Sequence, residues 1–85
     1  MIEQLKKFIK DNNLKFKEGS AGDINILAIC GYSVYMKASL EDCLKAVSTK
    51  NSKIEAEINR VYNYANSNNY GKWWETSSAK SSYKF

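Results

Sequence analysis

This sequence predicts an α+β fold in the element order α-β-β-β-α-α, a three-stranded antiparallel sheet packed by helices. Three observations lead there. Apolar residues recur at helical spacing near the N-terminus and again from Ser39 to Ala65, they alternate between Leu14 and Lys37, and Gly19, Gly22 and Gly31 punctuate that alternating stretch.

The first element is an amphipathic helix, because Ile2, Leu5, Phe8 and Ile9 fall at helical spacing with Lys6, Lys7 and Lys10 between them. Asn12-Asn13 ends it, since Asn tolerates the left-handed conformation of a helix C-cap. Leu14 and Phe16, alternating with Lys15 and Lys17, predict a short half-buried strand, and the loop Gly19-Ser20-Ala21-Gly22 follows. From Asp23 to Cys30 the residues Ile24, Ile26, Ala28 and Cys30 share one face of a strand while Leu27 and Ile29 make the other apolar too, which predicts the central strand. Gly31 then turns a hairpin at Cys30-Gly31-Tyr32-Ser33, and Ser33 to Lys37 returns as the third strand.

Two helices complete the order. Ser39-Leu40-Glu41-Asp42 reads as a capping box with Asp in the place of the usual Glu, and Leu40, Cys43, Leu44 and Val47 form the stripe behind it. Ser48 to Asn51 breaks the pattern before a second box, Ser52-Lys53-Ile54-Glu55, opens a helix that buries Ile54, Ile58, Val61, Tyr62 and Ala65. Asn66 to Asn69 stops it. Residues 1–75 read as a single domain and residues 76–85 as a Ser-rich, basic tail that Tyr83 and Phe85 can pin.

Composition narrows the function. At 44% hydrophobic and 26% charged, the chain has the balance of an autonomous globular domain, and 85 residues are too few to split between two cores. Its longest apolar run, Ile26 to Cys30, is too short for a membrane span, and the first residues lack the apolar centre of a signal peptide, so the expected location is cytoplasmic. Cys30 and Cys43 read as buried free thiols.

The chain contains no histidine, which removes the commonest general base and the commonest nitrogen ligand for transition metals. Cys30 and Cys43 lie within apolar patterns, where burial disfavours the thiolate that a nucleophile needs. Glu41 and Asp42 are accounted for by helix capping, and the Gly-Ser-Ala-Gly loop has no predicted helix behind it to aim N–H groups at a phosphate. The sequence therefore predicts a non-enzymatic protein with no catalytic residue, cofactor or metal.

Binding is the remaining role. Seven of the eleven aromatic residues lie at or beyond Tyr62, and Arg60, Lys72, Lys80 and Lys84 in the same region face only Glu75. Tyr64, Tyr70, Trp73, Trp74 and Tyr83, with those four cations, are the predicted partner-binding residues. Adjacent side chains diverge, so Trp73 and Trp74 are not both expected in one core. A protein partner is the leading expectation. Nucleic acid is the alternative, because interleaved aromatics and cations can stack bases and neutralise phosphates. An exposed aromatic patch also permits a homodimer, whereas the first helix is too short, and its apolar residues too much needed by the core, for membrane binding. A usage rich in Lys, Asn, Ser, Tyr and Ile without proline resembles the product of an AT-rich genome, such as that of a phage or mobile element. The specific expectation is thus an inhibitor of a host nucleic-acid-processing or defence complex.

Overall fold

The computed structural model describes residues 1–17 and 23–85; the predicted Gly19-Ser20-Ala21-Gly22 loop lies outside the described residues. The helices are α1 (Ile2–Asp11), α2 (Asp23–Tyr35), α3 (Leu40–Val47), α4 (Ser52–Ser67), a 3₁₀ helix (Tyr70–Glu75) and α5 (Ser77–Ser82). The fold is all-α, with no strand among the described residues.

This overturns the predicted α+β class and its three-stranded sheet. The predicted central strand, the hairpin at Gly31 and the third strand as far as Tyr35 are one helix, α2, and Met36 and Lys37 form the turn after it. A stretch that is apolar on nearly every side satisfies strand alternation and helical spacing alike, so periodicity does not discriminate between them. Tertiary packing does. Helix α2 lies at the centre, most extensively against α4 and the 3₁₀ helix and in contact with α1 and α3, as befits a helix apolar all round. Coiling also lets its backbone hydrogen-bond internally, so no neighbouring strand is needed. The predicted first strand, Leu14 to Lys17, then has nothing to pair with and runs as an irregular segment. Leu14 is nevertheless buried, and the Asn25 side-chain amide donates to the Lys15 carbonyl at 2.8 Å, tying the segment to α2.

Helices α1 and α2 both end in a left-handed residue. Asn13 (φ 53°) and Lys37 (φ 65°) occupy the place usually taken by glycine. Each is followed by a six-residue closing bond, Leu14 N–H to the Ile9 carbonyl at 3.0 Å and Ala38 N–H to the Ser33 carbonyl at 2.8 Å. At the start of α3, the Ser39 hydroxyl accepts from the Asp42 N–H at 3.1 Å, as the capping box predicts. Helix α4 is capped one residue earlier than predicted: Asn51 Oδ1 accepts from the N–H groups of Lys53 (2.9 Å) and Ile54 (3.3 Å), so Ser52 is already helical.

Two features connect this core to the C-terminal segment. Phe8 of α1 stacks on Tyr32 of α2 with ring centroids 4.0 Å apart, and Trp74 meets both rings edge-on at 5.4 and 5.5 Å. Residues 76–85 then fold back over this cluster. The Thr76 hydroxyl accepts from the Ala79 N–H to cap α5, Ala79 is fully buried, and Tyr83 and Phe85 pack on Trp74 at 5.0 and 5.4 Å. Asn12 clamps the end of the chain, accepting from the Lys84 N–H at 2.7 Å and donating to its carbonyl at 2.8 Å.

Candidate binding groove

Helix α2 divides its side chains between two faces. Ile26, Ile29, Cys30 and Ser33 are all buried, and the Cys30 thiol donates to the Ile58 carbonyl of α4 at 3.6 Å. Two residues earlier in register, about 200° around the helix, Ile24, Leu27, Ala28 and Gly31 form one wall of a groove of about 320 Å³. Tyr70, Trp73 and Trp74 of the 3₁₀ helix form the other wall, and Tyr83 closes one end.

Among the described residues, none that lines the groove is charged. Ile24 is 67% exposed, Leu27 41% and Trp73 43%, whereas Trp74 is only 3% exposed and forms the floor. The two indoles meet edge to face at 5.0 Å, an arrangement that holds Trp73 upright on the buried ring. Gly31 is what brings the walls together: a Cβ there would stand 2.7 Å from Trp74 Nε1, too close for any side chain without displacing the ring. This mid-helix glycine therefore makes room for an indole and does not turn a hairpin.

Of the predicted partner-binding residues, Tyr70, Trp73, Trp74 and Tyr83 converge on this groove. The others do not. Tyr64 stands outside its lining, exposed on α4, and accepts a hydrogen bond from the Tyr70 hydroxyl at 3.3 Å, which pushes the Tyr70 pKa above its ordinary value. Arg60 is exposed on α4 and ion-paired with Glu57, and Lys80 is exposed on α5 outside the lining. Lys72 faces a separate polar cleft of about 620 Å³ whose walls also include Lys37, Asn66 and Glu75. Lys84 lies beside Lys7 and Asp11 of α1. The predicted cations thus lie outside the lining of the aromatic groove, Lys72 and Lys84 in two other clefts.

Sequence reasoning missed the α2 wall. Its signal was present, since Ile24, Leu27, Ala28 and Gly31 fall at i, i+3, i+4 and i+7, but it appears only once the segment is read as a helix.

No family model, curated protein or solved structure matches the chain.

Three further polar or nucleophilic side chains, Cys30, Cys43 and Ser33, lie in the core. Cys30 and Cys43 are free and fully buried, and hydrogen bonding to Cys43, then burial, drives the Cys30 thiol far above the usual thiol range. The Ser33 hydroxyl, also buried, donates to the Ile29 carbonyl at 2.7 Å. Among the described residues, no group of three or more Cys, Asp and Glu side chains could hold a metal ion, and no helix is long and apolar enough to cross a membrane.

Proposed function

We propose that this chain is a non-catalytic protein-binding domain that meets its partner through the groove between α2 and the 3₁₀ helix. One observation carries the reading: Ile24, Leu27 and Trp73 are exposed together around a groove whose described lining residues are all uncharged. Large apolar residues grouped in this way mark interaction surfaces, and a tryptophan braced by a second ring is a typical energetic anchor. Direct nucleic-acid binding is supported less well, because none of Arg60, Lys72, Lys80 and Lys84 is among the described residues that line the groove where Tyr70, Trp73, Trp74 and Tyr83 meet.

A domain of this kind acts by covering part of its partner. An inhibitor of a host nucleic-acid-processing or defence complex, encoded by a phage or mobile element, is the form of this reading that the composition supports. Free thiols at Cys30 and Cys43 support a reducing, cytoplasmic setting.

Site-specific photocrosslinking tests the proposal. A photoreactive residue at position 27 or 73 should capture a protein from a lysate of the host cell, and the same probe at Glu55, exposed on α4, should not. Leu27→Lys should abolish capture from position 73 while changing stability by no more than about 0.5 kcal/mol. Recovery of nucleic acid alone, or of a second copy of this chain alone, would overturn the reading.

A further inference from the structure

We infer that α1 and α2 form a peptide-recognition site, held in cis by residues 83–85, and that this segment is a strap able to lift while the core stays folded. Asn12, the residue that ends α1, carries the recognition. Its side-chain amide pairs with both backbone groups of one distant residue: Oδ1 accepts from the Lys84 N–H at 2.7 Å and Nδ2 donates to the Lys84 carbonyl at 2.8 Å. Nδ2 also donates to the Phe8 carbonyl at 2.9 Å, within α1 itself. An amide nitrogen has two hydrogens, so this second bond fixes which way the amide faces, with or without residues 83–85. The rings beside it are likewise set by one another, since Phe8 stacks on Tyr32 and Trp74 meets both edge-on. Phe85 lies against these rings and against Tyr35, with centroids 5.4 to 6.4 Å apart. The receiving surface is thus preformed, reading backbone at one position and an aromatic ring at the next.

The segment that fills it is held more lightly than the core. Both Asn12 bonds to Lys84 are exposed to water and Phe85 is 46% exposed, whereas Phe8, Tyr32 and Trp74 are buried. Exposed hydrogen bonds and half-covered rings belong to the parts of a protein that open locally, well short of global unfolding. Tyr83 is extended (φ −134°, ψ 155°), so the backbone enters the clamp in a conformation that a separate peptide can also adopt. The ligand chemistry of this site is therefore an extended peptide whose backbone meets Asn12 and whose next side chain is aromatic. Because Tyr83 also closes one end of the groove, lifting the strap opens that end.

The test uses the full chain. In the parent, the Lys84 amide should exchange with deuterium at least about 100-fold faster than the Ile29 amide of α2, after correction for intrinsic rates. Equal protection of the two would mean that the strap opens only with the whole fold, and would overturn the inference. Lys84→Pro with Phe85→Ala loosens the strap in place: proline lacks the N–H that Asn12 accepts from, its extended neighbour Tyr83 tolerates it, and the Phe85 ring is lost. N-acetyl-Tyr-Lys-Phe-amide should then shift the Asn12 side-chain amide and Trp74 indole signals saturably. It should bind the parent at least about tenfold more weakly, because the resident strap occupies the site. N-acetyl-Tyr-Lys-Ala-amide should bind the loosened chain at least about tenfold more weakly than the Phe peptide. Asn12→Ala, added to the loosened chain, should weaken the Phe peptide by roughly fivefold or more. No saturable shift, equal affinity for loosened and parent chains, equal affinity for the two peptides, or an affinity untouched by Asn12→Ala overturns the inference. Unfolding of the loosened chain does so too, since the strap would then be part of the core.

Discussion

The two faces of α2 are similar in composition and differ in what they touch. One presents Ile26, Ile29, Cys30 and Ser33 to the interior, where all four are at most 2% exposed. The other presents Ile24, Leu27, Ala28 and Gly31 to the groove, where exposure runs from 67% at Ile24 to 4% at Ala28, with Gly31 buried. Both faces are apolar, so hydrophobicity alone does not decide which one becomes core. That is decided by what the rest of the chain can place against each face. Helix α4 packs more extensively on α2 than the 3₁₀ helix does and meets the first face at Ile58, whereas the 3₁₀ helix leaves Ile24 and Leu27 of the second exposed. A short chain with a central apolar helix thus leaves uncovered surface available for binding.

The comparison breaks most readily by truncating one residue on each face. Ile29→Ala should destabilise the domain by roughly 2–5 kcal/mol, the cost of a cavity at a fully buried site. At about 4–8 °C per kcal/mol for a domain of this size, the melting temperature should fall by about 10 °C or more. Ile24→Ala should stay within about 0.5 kcal/mol of the parent. Urea denaturation of both variants checks the pair, and similar losses would mean that the groove face is covered like the core.

Gly31→Ala sharpens the comparison at the point where the two faces are joined. Alanine in a helix interior gains about 1 kcal/mol over glycine in propensity. Here, however, the new methyl group would lie 2.7 Å from Trp74 Nε1, on a ring also packed by Phe8, Tyr32, Tyr83 and Phe85. Overpacking of that kind costs about 1–3 kcal/mol, and because the ring is hemmed in on several sides, the expected net change is a destabilisation of about 1 kcal/mol. Thermal melting and tryptophan fluorescence are the measurements. A variant stabilised by the full propensity gain would show that the indole does not rest on Gly31.

The same contrast explains which parts of the fold were legible in the sequence. Helices α1, α3 and α4 each have one polar face and one apolar face, so Leu5 and Phe8, Cys43, and Ile54, Ile58 and Ala65 declared both their helices and their burial. Helix α2 lacks that contrast. Its β-branched and aromatic residues and its glycine matched the chemistry of a strand and turn, and only the neighbours that enclose it favour a helix. The candidate site was half legible for the same reason: aromatic residues after Tyr62 marked one wall, while the other wall was concealed within an apparent strand. Nor could spacing along the chain show that Lys72 and Lys84 end in two different clefts, since that follows from the path of the 3₁₀ helix and of the segment beyond it.

The smallest expected effect lies farthest from the groove, at the exposed Lys7–Asp11 pair of α1, with 2.6 Å between Nζ and Oδ2. The hydrogen bond from Lys7 holds the Asp11 carboxyl below its ordinary value of 3.8. A carboxyl depressed on folding stabilises the native state above its unfolded pKa, and that contribution disappears as pH falls through the lower, folded value. The melting-temperature difference between the parent and Asp11→Asn should therefore be constant from about pH 7 to pH 5 and shrink as pH falls below about 4. Added salt should reduce it at neutral pH, because both partners are partly exposed and screened. Scanning calorimetry at matched ionic strength checks this. A difference that instead grew on acidification would mean that the carboxyl is better accommodated protonated, and would assign the end of α1 to the packed side of the comparison.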